Sequence, residues 1–163
     1  TDRAGSPQNF FSDGWYDYFG LLNGAASTFT GMAPTLVGGY DAAPRAPTYT
    51  GFSPPFLAAQ DLDGEGALDP FTLTWSDINI SSCASVFFSG KFAESGASGT
   101  DRADFVHIEV SIDGGPAQDV LWFSANRDGT NEDFAVDADF DGRGEGTSLT
   151  SRAQTFTAPI VGT

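Results

Sequence analysis

The sequence predicts an all-β fold, an antiparallel β-sandwich of jelly-roll type with long acidic loops. Three observations lead there. Short stretches alternate apolar and polar residues with the period of two that a half-buried strand requires. Turn-forming residues separate those stretches: 20 Gly and nine Pro stand among abundant Ser and Thr. No stretch repeats its apolar residues at helical spacing. Roughly eight short strands with turns between them fit one sandwich. A single domain over 1–163 is expected, long enough to bury a core without staples.

In chain order, GWYDYFGLLN (14–23) and STFTG (27–31) read as an aromatic hairpin, and the Pro-, Gly- and Ala-rich residues 32–55 as a long surface loop. FTLTWSDINI (71–80) sets Phe71, Leu73 and Trp75 against Thr72, Thr74 and Ser76, a strand pattern. ASVFFSGKFAE (84–94) is a further strand, with Gly90 marking a bulge. Residues 95–103 and 126–133 are polar loops. The clearest strand is DFVHIEVSI (104–112): Val106, Ile108, Val110 and Ile112 face the core, and Phe105, His107, Glu109 and Ser111 the wetter side. Asp113-Gly114-Gly115-Pro116 turns the chain, and QDVLWFSA (118–125) returns as the hairpin partner. AQTFTAPI (153–160) is the last strand, placed by Pro159 near an edge or strand end.

Charge narrows the function. Twenty-two acids stand against seven bases, a net charge of −15. Such a field repels phosphate backbones and anionic lipid, which argues against nucleic-acid and membrane partners. It favours cations, or a salty, calcium-rich medium that screens self-repulsion. Cys83 is alone, so no intrachain disulfide forms, and it is expected to be a small buried hydrophobe. No apolar run approaches the ~18 residues of a membrane-spanning helix. The chain opens at Thr1 without a signal-like segment, which reads as a mature product or an excised piece. Asn79-Ile80-Ser81 is a glycosylation sequon.

The stretch DADFDGRGEGTS (137–148) has the spacing of a calcium loop. Asp137, Asp139 and Asp141 occupy alternate positions, Gly142 takes the sharp turn, Arg143 offers its carbonyl, and Glu145 stands where a ligand often acts through water. A hard cation needs several oxygens at once, and clustered carboxylates lose their repulsion when a cation sits among them. Ser148 stands where a helix-loop-helix hand carries a bidentate Glu, so the loop joins strands instead. Asp61, Asp63 and Glu65 repeat the alternation around Gly64. A third candidate group is Glu94 with Asp101 and Asp104, where a strand end meets a strand start. For each group the plainer alternative is solvated surface acid.

Other chemistries lack their parts. The one histidine, His107, sits mid-strand and reads as a surface or hydrogen-bonded structural residue, and no nucleophile elbow accompanies it. With one His and one Cys, a zinc site is not expected, and no phosphate loop or dinucleotide fingerprint is present. A carboxylate pair for glycoside hydrolysis remains a third-ranked reading. Trp15, Tyr16, Tyr18 and Trp122 are candidates for a sugar-stacking platform, with core packing as the plainer reading.

Several phrases together carry a resemblance: FLAAQDLDGEG (56–66), TLTWSDINIS (72–81), FSGKFAE (88–94), DFVHIEVSIDGG (104–115) and DADFDGRGEGTSLTSRAQTFTAPIVGT (137–163). They resemble a jelly-roll-like β-sandwich module of large secreted or surface proteins, chiefly of marine and other environmental bacteria, without a settled activity. The resemblance covers residues 10–163 and implies an extracellular, calcium-bound, non-catalytic module. In that family a phrase like TAPIVGT is followed by a further strand, a Glu-rich turn and a closing phrase. This chain stops at Thr163, and if those strands are absent a sheet edge is left for a partner strand. The leading expectation is a secreted, calcium-stabilised structural or adhesive module that self-assembles or accepts a strand. A glycan- or peptide-binding module is the alternative, and a glycan-active hydrolase ranks third.

Overall fold

Eight strands, all paired antiparallel, and no helix are found among the described residues of this computed structural model. It describes residues 7–9, 18–22, 50–52, 56–60, 72–94 and 100–161. The all-β class expected from the alternation is therefore met. The chain divides into two compact units, Thr1–Ile78 and Asn79–Thr163.

In the first unit, β1 (Pro7–Asn9), β2 (Tyr18–Leu22) and β3 (Phe56–Gln60) form a sheet in that order. The ladder partners of β2 among the described residues are PQN, beside Phe19 and Gly20, and FLAAQ along its whole length; the second half of the expected aromatic hairpin is not among those residues. FLAAQ carries no alternation, which is why its strand is invisible to a periodicity argument. STFTG, and the loop 32–55 apart from Thr50–Phe52, lie outside the described residues.

The expected strand over 71–80 is corrected. Residues 72–80 make no ladder, Trp75 is 67% exposed and Ile78 71% exposed. Asp77 has φ +61°, and one left-handed residue ends an extended run. The chain then turns through 80–83, closed by Cys83 N–H donating to the Ile80 carbonyl at 2.9 Å. Cys83 is exposed on that turn, not buried as expected, because the segment around it never joins a sheet.

The second unit holds two antiparallel sheets. In one, β4 (Val86–Phe92) pairs with β8 (Gln154–Ile160) in unbroken register from Val86↔Ile160 to Phe92↔Gln154. Both strands alternate half-buried and exposed residues. Gly90 marks no bulge: a Cβ there would stand 2.7 Å from the Phe92 ring and 3.0 Å from the Phe88 ring. The glycine makes room for aromatic packing within a regular strand. Pro159 is the penultimate residue of β8 in a two-stranded sheet, as its missing N–H requires.

The other sheet has the order β5 (Phe105–Val110), β6 (Gln118–Ala125), β7 (Phe134–Asp137). The predicted hairpin of DFVHIEV with QDVLWFSA is present, and its register slips between Ile108 and Glu109. Ile108 pairs with Leu121, but Glu109 pairs with Asp119, leaving Val120 as the extra residue of a bulge. Val120 and Leu121 are both buried as a result. Ile108 packs against the core as expected, whereas Val106 is exposed near the sheet margin.

One face of this sheet supplies the core. Phe123 is fully buried and, with Leu121 and Leu149, collects Phe88, Phe92, Ile108, Phe134, Val136 and Phe156 around it. The Phe92 and Phe156 rings of the β4–β8 sheet lie 4.8 and 5.0 Å from the Phe123 ring. The opposite face carries the polar and titratable residues: His107 stands across from Trp122, Trp122 from Asp137, and Glu109 from Asp119.

Candidate functional site

After β7 the chain doubles back along its own strand. Gly146 N–H donates to the Val136 carbonyl at 2.8 Å, Val136 N–H to Thr147 at 3.1 Å, and Leu149 N–H to Phe134 at 2.7 Å. Ala135 bridges to Ser148. This return lays residues 138–149 beside the sheet and covers Asp137, which is 1% exposed. The buried carboxylate is held by three donors: Asp141 N–H on Oδ1 at 3.1 Å, and Gly142 N–H at 2.8 Å and the Ser124 hydroxyl at 3.2 Å on Oδ2. Two are backbone groups of its own loop, so the first Asp of the alternation folds the turn from within. Gly142 has φ +87°, which a glycine adopts freely.

Ligand oxygens of Asp137, Asp139 and Glu145 lie within 4.8 Å of one another, so the loop brings together three of the four acids singled out there. Glu145 Oε1 also accepts from Ala138 N–H at 2.7 Å. Asp141 stands outside that trio, yet it lies near enough that its charge is the largest cause holding the Asp139 carboxyl above its usual range; desolvation, Glu145 and Asp137 follow. Arg143 is exposed. A carboxylate offers about four lone-pair sites, and three of Asp137's are used, which leaves one, on Oδ1, for a cation.

The group of Glu94, Asp101 and Asp104 does not converge. Glu94 instead ties segments together: Oε2 accepts from Phe134 N–H at 2.7 Å and Oε1 from the Thr100 hydroxyl at 3.1 Å. Asp101 and Asp104 cap their own turn, with Asp104 Oδ2 accepting from Asp101 N–H and Asp101 Oδ1 from Ala103 N–H, both at 2.7 Å.

Burial holds the Glu94 carboxyl above its ordinary 4.5, partly opposed by the Phe134 and Thr100 hydrogen bonds and reinforced by Asp133 and Asp104. A raised carboxylate binds its proton more tightly folded than unfolded. Its contribution is therefore full below the unfolded value and is lost as pH rises through the folded one. Glu94→Ala is expected to cost about 1–3 kcal/mol by orphaning Phe134 N–H. Glu94→Gln keeps one acceptor, should lose less, and should flatten the part of the stability gained between neutral and weakly acidic pH. Urea denaturation across that range in chelator checks both.

A further trio went unnoticed in the sequence. His107, Glu109 and Asp119 place ligand atoms within 4.8 Å of one another. The imidazole Nε2 and Asp119 Oδ1 are 2.7 Å apart, the ring N–H donating to the carboxylate, so His107 is a half-buried, hydrogen-bonded residue. Residues 107 and 109 share a face by alternation alone, but the bulge that adds Asp119 has no sequence signal.

Of the aromatic candidates, Trp122 is half-buried between rings. His107 stacks on it at 4.3 Å, Phe140 at 6.4 Å, and Phe105 meets it edge-on at 5.8 Å. Phe140 comes from the acidic loop and has φ +60°. Tyr18 belongs to β2 in the first unit. Trp15, Tyr16, Asp61, Asp63 and Glu65 lie outside the described residues. Asn79 is exposed, its Oδ1 accepting from Ser81 N–H at 3.0 Å and the Ser81 hydroxyl at 2.8 Å. No described helix is long and apolar enough to cross a membrane. Compared with protein-family models, curated proteins and solved structures, the chain matches none of them.

Proposed function

We propose that the chain is an extracellular, calcium-stabilised β-sandwich module of jelly-roll type with a structural or adhesive role. One observation carries this reading: Asp137, Asp139 and Glu145 converge on one point of a loop that the fold pins against β6 and β7. Three carboxylates so close repel one another, and a bound cation turns that repulsion into a tie between loop and sheet. Calcium is the hard oxygen-seeking ion that such a flexible loop admits, whereas magnesium demands stricter octahedral geometry. In this role the metal stabilises the fold and does no chemistry. The chain would serve in self-assembly or accept a partner strand, and the exposed face of the β4–β8 sheet, with Phe87 59% exposed opposite Pro159, supports the adhesive side.

The thermal midpoint of the full chain, in chelator and across a calcium titration with magnesium as control, tests it. A hundredfold excess over Kd contributes about 2.7 kcal/mol, enough to raise the midpoint by about 5–11 °C in a chain of this size. The rise should be calcium-selective and disappear in Asp139→Asn. No calcium-dependent shift would reduce the loop to an acidic turn held by its own hydrogen bonds, and the proposal would fail.

A second reading, a glycan- or peptide-binding module, draws on the ring stack: Phe140, exposed on the acidic loop, and Trp122 beneath it offer an aromatic surface beside carboxylates.

A further inference from the structure

We propose that His107, Glu109 and Asp119 form a second metal site, of a different class: a site for a first-row transition-metal dication such as zinc, on the outer face of the β5–β6 hairpin.

The bulge creates it. In regular register Glu109 would face Val120; the slip places Asp119 opposite Glu109 instead, on the face that already holds His107. Two carboxylates directly opposite each other on paired strands destabilise the pair, and His107 makes a hydrogen bond to one of them, Asp119. A dication offsets both negative charges, which a hydrogen bond to one carboxylate does not.

Donor chemistry sets the metal. An imidazole nitrogen with two carboxylate oxygens suits zinc, copper or nickel, whereas calcium and magnesium take oxygen almost exclusively. With metal–ligand bonds of about 2.0–2.2 Å, tetrahedral ligand atoms stand about 3.3–3.6 Å apart. The 2.7 Å His107–Asp119 contact is shorter than that spacing and all three ligand atoms lie within 4.8 Å of one another, so modest side-chain rotation brings them to it. The imidazole loses the hydrogen bond to Asp119 and coordinates through the nitrogen that made it. Stacking on Trp122 at 4.3 Å holds the ring in place. Three protein ligands leave a fourth position open to water or to an exogenous donor, the form of a site that binds or bridges.

The site is independent of the calcium loop, and the chain supplies a clean probe, because His107 is its one histidine. The untagged full chain, saturated with calcium, is titrated with zinc alone and then with cobalt. Expected are a saturable one-to-one shift of the single imidazole NMR signal with zinc and its paramagnetic displacement with cobalt. Glu109→Gln and Asp119→Asn should each weaken zinc binding at least tenfold, and Asp139→Asn should leave it unchanged. An imidazole signal unmoved by zinc in the wild-type chain would overturn the site without recourse to variants. So would equal affinity in Glu109→Gln and Asp119→Asn, which would mean a lone surface histidine.

Discussion

Phe123→Ala is expected to lower the stability of the second unit by about 3–5 kcal/mol, the range for deleting a buried aromatic ring. Phe123 is fully buried at the middle of β6, and its ring meets Phe92 at 4.8 Å and Phe156 edge-on at 5.0 Å. Those two rings belong to the β4–β8 pair, so the truncation opens a cavity where the two sheets share their apolar side chains. Phe92 and Phe156 cannot both close it, because each is held in a strand of unbroken register. A loss this large consumes a sizeable part of a domain's net stability. Amide hydrogen exchange in β6 reads the effect on this unit directly. Phe123→Leu, which leaves a smaller void, should lose distinctly less. Equal protection in wild type and Phe123→Ala would place the core elsewhere.

Gly144→Ala is expected to cost about 1–3 kcal/mol or more by overpacking and to weaken any calcium stabilisation with it. A Cβ at Gly144 would stand 2.5 Å from the Ser124 carbonyl oxygen, 2.7 Å from that of Ala135 and 2.9 Å from the Ala135 Cβ. The two oxygens are backbone atoms of neighbouring strands, and no rotamer change moves them. The loop must lift instead, breaking the 3.1 Å hydrogen bond from Gly144 N–H to the Ala125 carbonyl and shifting Glu145, the adjacent carboxylate of the trio. Gly142→Ala makes the contrast. A Cβ there meets nothing within 4 Å, so only the φ of +87° opposes it, at a cost of about 1–2 kcal/mol. Urea midpoints with and without calcium separate the two: Gly144→Ala should reduce both stability and the calcium increment, and Gly142→Ala chiefly the former.

Together these substitutions describe one sheet with two working faces. Phe123 and its neighbours fasten the inner face. The outer face carries Trp122 between the imidazole of His107 and the ring of Phe140, with one carboxylate-bearing trio beyond each. The division follows from strand alternation, since Trp122 and Phe123 point to opposite sides.

Much of this architecture is legible in residue order. Strand-like residue patterns placed the 86–92, 105–110 and 154–160 strands, and the turn at Asp113–Pro116 placed 118–125 as a hairpin partner; β4 and β8 alternate half-buried and exposed residues, whereas β6, paired on both edges, is buried along most of its length. The spacing of Asp137, Asp139 and Glu145 located the carboxylate cluster, because short-range geometry in a glycine turn depends on neighbours in sequence. Alternation failed over 72–80, where Phe71, Leu73 and Trp75 form a strand pattern but no ladder partner arrives and Asp77 turns the chain. A strand is completed by its neighbour, and a lone pattern cannot announce one.

What the sequence determined by itself was therefore local: the β class, the hairpin at Asp113–Pro116, the acid-rich turn after β7, and a net charge of −15. What only the tertiary structure decided was which distant groups meet. Glu94 reaches Phe134 across 40 residues and ties the two segments together. A one-residue slip in β6 turns Asp119 toward Glu109 and His107. Gly90 answers to aromatic rings, and Gly144 to the carbonyls of two other strands. These outcomes depend on register and packing, which arise from contacts summed over the whole unit and leave no trace in any short stretch of the chain.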